Sequence, residues 1–134
     1  MKFLRQGSDG ALSYKTNVPA GAKTADATVG ATTLTAAMLL SGLIMRTGPT
    51  GAYADTTPTA TQILDAMGDP EIGDSFDFVH VNGVAYACTL TAGAGVTLAG
   101  TTANAASKVR MYRCTVTATS TPAVLITGIG EMVA

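Results

Sequence analysis

Asn82-Gly83-Val84-Ala85-Tyr86-Ala87-Cys88-Thr89-Leu90-Thr91 is the stretch that decides how this chain reads. Val84, Tyr86, Cys88 and Leu90 fall on one parity, and Ala85, Ala87, Thr89 and Thr91 on the other. A strand turns successive side chains to opposite faces, so this alternation predicts a strand over Val84–Thr91. Asn82-Gly83 before the run and Gly93-Ala94-Gly95 after it tolerate positive φ. Antiparallel strands joined by tight turns are therefore expected.

Further strands are expected at Ser75–Val81, Val96–Ala99, Lys108–Thr117 and Val124–Ile129. The first changes parity, with Phe76 and Phe78 on one face and then Val79 and Val81 on the other. That predicts either a bulge or a strand covered on both faces. Val124, Leu125 and Ile126 are apolar on both parities, as expected of a doubly covered strand or a subunit interface. Toward the N-terminus, Ala36–Leu40 reads as a helical turn stopped by Gly42, and Leu43–Arg46 as a buried strand. Thr57 can cap a helix and Pro58 can open it. Ala60, Ile63, Leu64 and Met67 then recur at helical spacing, which predicts a helix over Pro58–Met67. The sum is an antiparallel β-sandwich or jelly-roll-like domain over residues 28–134 with one short helix.

Residues 1–27 differ in texture. Glycines and a proline interrupt every period, and the apolar residues are isolated, which predicts an extended arm that lays single side chains on another chain. Lys2, Phe3, Leu4, Arg5, Leu12, Tyr14 and Lys15 are the candidate contacts there, with Val124, Leu125 and Ile126 on the body. The first 26 residues carry +2 and the rest −3, within a net charge of −1. So mild an imbalance does not suit a nucleic-acid binder.

Charged residues make up 13% of the chain, about half the average share, which predicts that partner chains cover part of the surface. No apolar run reaches the ~20 residues of a membrane helix, so no membrane partner is expected. The opening Met1–Arg5 leads into polar residues with no apolar core of a secretory signal, and an intracellular origin is expected. Cys88 and Cys114 are then read as free, buried thiols.

Reactive groups are sparse. His80 is the only histidine and stands mid-strand, which predicts a structural role. Asp65, Asp69, Glu71, Asp74 and Asp77 lack the ligand spacing of a calcium loop and read as a solvated rim. Gly93, Gly95 and Gly100 lack the lysine of a phosphate loop. Lys108, Arg110 and Arg113 divide between two faces, as subunit ion pairs or a charged sheet edge would. No catalytic residue, metal or cofactor is expected.

Two long stretches carry a resemblance. Thr33-Leu34-Thr35-Ala36-Ala37-Met38-Leu39-Leu40-Ser41-Gly42-Leu43-Ile44-Met45-Arg46 with Asp55-Thr56-Thr57-Pro58-Thr59-Ala60 is the first. Gly73–Phe78 with Ala92–Gly100 is the second. Across residues 30–130 the chain resembles a domain of tailed-bacteriophage structural proteins, the capsid decoration or cement proteins. The resemblance implies a jelly-roll-like body that sits on the capsid exterior as a homodimer or homotrimer and binds the major capsid protein. It brings no catalytic residues. Related domains in tails and fibres make a glycan-binding module the alternative, in which Tyr53 would serve as an aromatic platform.

Overall fold

A computed structural model describes Lys2–Gln6, Leu12–Thr16 and residues 24–133 of the backbone, and side chains from 25 to 132. The strands are β1 (Lys2–Gln6), β2 (Leu12–Thr16), β3 (Thr24–Asp26), β4 (Thr32–Thr33), β5 (Leu43–Arg46) and β6 (Tyr53–Thr56). They continue with β7 (Ser75–Asn82), β8 (Cys88–Thr91), β9 (Val96–Ala99), β10 (Ala103–Asn104), β11 (Lys108–Ala118) and β12 (Ala123–Val133). Two helices, α1 (Ala36–Ser41) and α2 (Ala60–Met67), interrupt the first half. The chain is mainly β, as expected, but the described residues hold two helices rather than one.

The sheets are mixed, not antiparallel. A six-stranded sheet runs β3-β5-β7-β11-β12-β9 and a four-stranded sheet runs β10-β8-β6-β4. From β3 to β11 the chain changes sheet at every strand, so β3, β5 and β7 stack in parallel in one sheet while β4, β6 and β8 stack in parallel in the other. The first half is thus a coil of three turns, which antiparallel β10, β11 and β12 close. Asn82-Gly83 is accordingly no hairpin turn. Gly83 continues the β5 ladder by donating to the Arg46 carbonyl at 2.9 Å, and Val84–Ala87 crosses to the other sheet. Only Cys88–Thr91 of the expected strand pairs.

Parallel neighbours carry a repeat. Thr32-Thr33-Leu34-Thr35-Ala36 recurs as Thr56-Thr57-Pro58-Thr59-Ala60, each leading a four-stranded-sheet strand into a helix. Thr35 Oγ1 accepts the Met38 N–H at 3.1 Å, and Thr59 Oγ1 accepts the Gln62 N–H at 3.2 Å, so each threonine satisfies a donor that the first helical turn leaves free. Thr59, not Thr57, is the cap of α2. The Thr57 hydroxyl is buried and accepts the Gly93 N–H at 2.8 Å, tying the second turn of the coil to the third. Gly42 ends α1 in the left-handed region at φ 85°, where a side chain would be strained.

The apolar core joins both helices to the inner face of the large sheet. Leu39, Ile44, Ile63, Phe78, Tyr112, Val116, Val124 and Ile126 are all but fully buried in it, and the Phe78 and Tyr112 rings stack at 5.2 Å. β7 pairs with β11 in unbroken register from Ser75 to Val81, so the parity change is not a bulge. Its buried face simply continues from Phe76 and Phe78 to His80 and Asn82. Val79 and Val81 point to the outer side.

β1 and β2 pair antiparallel, Lys2 opposite Thr16 through Gln6 opposite Leu12, which satisfies backbone groups that a lone extended arm leaves to water. β3 belongs to the large sheet through β5, so the body includes Thr24–Asp26. The side chains of Lys2, Phe3, Leu4, Arg5, Leu12, Tyr14 and Lys15 lie outside the described residues.

Candidate functional site

Two features stand out, one on the surface and one inside. On the outer face of the large sheet, strand register lines up Ala25, Met45, Val81, Val109 and Met132 in one row across five strands. Leu43, Val79, Met111 and Gly130 form the adjacent row. No charged side chain interrupts either row. Met45 keeps 37% and Met132 53% of its surface exposed, and the valines, Leu43 and Met111 are half-buried. The next row carries charge: Arg113 and Asp77 pair at 2.8 Å, and that hydrogen bond holds the Asp77 carboxyl below its usual range. An apolar centre beside a polar rim is the anatomy of a protein interface.

Inside, where the two sheets meet beyond the apolar core, is a cluster of polar side chains. Arg46, from β5, is fully buried. Its Nε donates to Asp55 Oδ2 at 2.9 Å, and its Nη1 donates to Asp26 Oδ1 and to the carbonyls of Asp26 and Thr28 at 3.1–3.2 Å. Nη2 donates to the Gly30 carbonyl, and the guanidinium lies 5.1 Å from the centre of the Tyr53 ring. One arginine therefore ties the 26–30 segment to β6. A buried charge is tolerable only when paired and hydrogen-bonded, and Arg46 is both.

Asp55, His80 and Cys88 come from three successive strands, β6, β7 and β8, yet converge. His80 Nε2 lies 3.2 Å from Asp55 Oδ2 and 3.8 Å from Cys88 Sγ. On the far side of the ring, Asn104 Nδ2 donates to His80 Nδ1 at 3.0 Å and to the His80 carbonyl at 3.0 Å. That donor leaves Nδ1 as an acceptor and puts the ring proton on Nε2, facing the carboxylate. Asn82 completes the cluster, accepting the Tyr53 hydroxyl at 2.7 Å and donating to the carbonyls of Tyr86, Asn104 and Ala105. Burial pushes the Cys88 thiol up to about 12. Burial also raises the Tyr53 phenol. Two buried oxygens, Asp55 Oδ1 and Asn104 Oδ1, have no hydrogen-bond partner.

These three groups do not form a nucleophilic triad. In a triad the nucleophile and the orienting acid sit on opposite ring nitrogens. Here both the thiol and the carboxylate are at Nε2, and Cys88, His80 and Asp55 keep at most 2% exposure.

Val124 and Ile126 fill the interior of a single chain and have no surface left for a partner, which leaves Leu125, half-buried on the outer face. Cys88 and Cys114 are free and buried. Asp65, Asp69, Glu71 and Asp77 are exposed. Arg110 is neither on a sheet edge nor reserved for another subunit, because β11 is an inner strand and Arg110 donates to the Ala103 carbonyl at 2.7 Å, with Glu131 at 3.6 Å. Tyr53 is buried at 7% exposure and offers no platform to a sugar. Tyr86 is the one exposed aromatic among the described residues. Sequence reasoning missed the polar cluster, whose only signal was that His80 and Asn82 continue the parity of Phe76 and Phe78.

Among the described residues no helix is long and apolar enough to cross a membrane. No family model, curated protein or solved structure matches this chain.

Proposed function

We propose that this chain is a structural protein of a tailed-bacteriophage virion: a capsid decoration protein that binds the outer surface of the major capsid protein and works as a homodimer or homotrimer, without catalysis. The observation that carries the reading is the outer face of the large sheet, where two in-register apolar rows stay partly exposed on a single chain. Such a face is stabilised by removal from water, at roughly 25 cal/mol per Å² buried. The resemblance of residues 30–130 to decoration proteins supplies the setting, and a jelly-roll-like sandwich built from the two sheets belongs to the same proposal. The triad-breaking placement of Cys88, His80 and Asp55 favours a structural role.

The two adjacent rows, one across five strands and one across four, span at most about 20 Å by 14 Å at ordinary strand spacings, smaller than the ~800 Å² that each partner contributes to a stable interface. The face therefore serves as the apolar centre of a contact that extends over its polar neighbours, and many copies on one shell add avidity.

The test is cosedimentation of the purified chain with expanded, undecorated capsids of its phage, with light scattering for its own oligomeric state. Wild type should bind and run as a dimer or trimer. Met45→Lys and Met132→Lys, both at exposed positions, should fold normally and lose at least tenfold in one association or the other. A folded wild type that is monomeric and ignores capsids would sink the proposal.

A further inference from the structure

We propose that Asp55, His80 and Cys88 form a buried binding site for a zinc-type divalent cation. The site is independent of capsid binding and stands or falls on its own measurements.

The geometry comes first. A carboxylate oxygen, an imidazole nitrogen and a thiol sulfur lie within 4.8 Å of one another. Their shortest separations are 3.2 Å for Nε2 to Oδ2 and 3.8 Å for Nε2 to Sγ. Around a tetrahedral zinc ion with bonds of 2.0–2.3 Å, neighbouring ligand atoms sit about 3.3–3.7 Å apart. The ligands thus stand close to coordinating distance already, each on a strand held by its neighbours. Sulfur, nitrogen and oxygen together suit zinc, whereas magnesium and calcium prefer oxygen alone.

Unpartnered atoms come second. Asp55 Oδ1 is buried and accepts nothing, an arrangement that costs free energy in a dry interior. A cation beside this carboxylate gives Oδ1 a partner, and Oδ1 supplies a fourth ligand atom next to Oδ2, Nε2 and Sγ. Asn104 Oδ1 is the other buried orphan. When Nε2 binds a cation through its lone pair, the ring proton moves to Nδ1 and needs an acceptor. Asn104 provides one by turning its amide over, giving up the Nδ2 bond to the His80 carbonyl. A carbonyl behind a ligating histidine is the usual support in such sites.

Charge is third. Arg46 faces two carboxylates, Asp55 and Asp26, so this group carries one net negative charge. Arg110 is matched by Glu131. On binding, the Cys88 Sγ–H bond breaks, the Sγ–metal bond forms and one proton leaves to solvent. Thiolate, two carboxylates, guanidinium and a dication then sum to neutral, with Asp26, whose side chain keeps 17% exposure, at the rim of the cluster.

Because the ligands are shut from solvent, the cation enters during folding. Reduced protein is therefore refolded from denaturant with one equivalent of Co²⁺, then challenged with Zn²⁺. The expected result is one bound cobalt with a sulfur-to-cobalt charge-transfer band in the near ultraviolet and tetrahedral bands in the visible, all displaced by Zn²⁺. Cys114→Ser should keep the bands and Cys88→Ser should lose them. Zinc at a hundred times its dissociation constant should lower the unfolding equilibrium constant about 100-fold. Wild type that refolds without a thiolate–cobalt band, with equal stability in zinc and in chelator, would overturn the site whether or not Cys88→Ser folds. So would a band that survives in Cys88→Ser.

Discussion

Arg46→Met should be among the most damaging single substitutions in this chain. Methionine matches the length of the apolar stem but removes every donor. Asp55 then keeps a buried carboxylate at 0% exposure with only His80 Nε2 for company. Stranding one member of a buried ion pair costs about 3–5 kcal/mol. The freed carbonyls of Asp26, Thr28 and Gly30 add less, because none of these three residues is fully buried. A total of about 4 kcal/mol is a large part of the 5–15 kcal/mol that holds an ordinary domain together. With a urea slope of about 1.5 kcal/mol per molar, the midpoint should fall by about 2–3 M. Adding Asp55→Asn removes the stranded charge, so Arg46→Met with Asp55→Asn should recover about 2 kcal/mol relative to Arg46→Met alone. Equilibrium urea unfolding with chelator throughout keeps any cation out of the comparison. A loss below about 1 kcal/mol for Arg46→Met, or a second substitution that only deepens the loss, would refute the account of Arg46 as the counter-charge of a dry carboxylate.

Two further outcomes follow from packing and burial. Burial pushes the Cys114 thiol from 9.0 up to about 12, so between these values the unfolded chain releases a proton that the folded chain keeps. Stability is full below pH 9 and falls above it by about 1.4 kcal/mol per pH unit for this one group; urea midpoints at pH 8, 9 and 10 should show a shallower decline in Cys114→Ala, and equal declines would count against it. A Cβ at Gly93 would lie 2.6 Å from the Thr57 carbonyl oxygen and 2.7 Å from that of Pro58, both backbone atoms. Gly93→Ala should therefore cost about 1–3 kcal/mol in thermal melts, while Gly51→Ala, with open space around it, should cost far less.

Much of the strand content was legible because burial imprints a period of two. Ser75–Val81, Val96–Ala99 and Lys108–Thr117 match observed strands within a residue or so. The spacing of Ala60, Ile63, Leu64 and Met67 likewise matches the buried side of α2. Pairing was not legible, since alternation says which side chains share a face but not which strand lies alongside. Asn82-Gly83 has the composition of a hairpin turn, yet Asn82 is held inside by three carbonyls and a tyrosine hydroxyl, which no local pattern encodes. The two-residue strands β4 and β10 are too short to show a period. The polar cluster escaped for a related reason: Arg46, Asp55, His80, Cys88 and Asn104 are scattered singly, and only the coil brings them together.

That coil also makes the molecule extensible. Each winding places one strand in either sheet, and the threonine-rich pentad recurs 24 residues on, from Thr32 to Thr56. Splicing in one more such module would widen both sheets by about 4.8 Å without altering the stacking of the modules on either side. A protein built this way has a dimension that gene duplication can adjust in fixed increments, a useful property for any part that must span a gap set by something else.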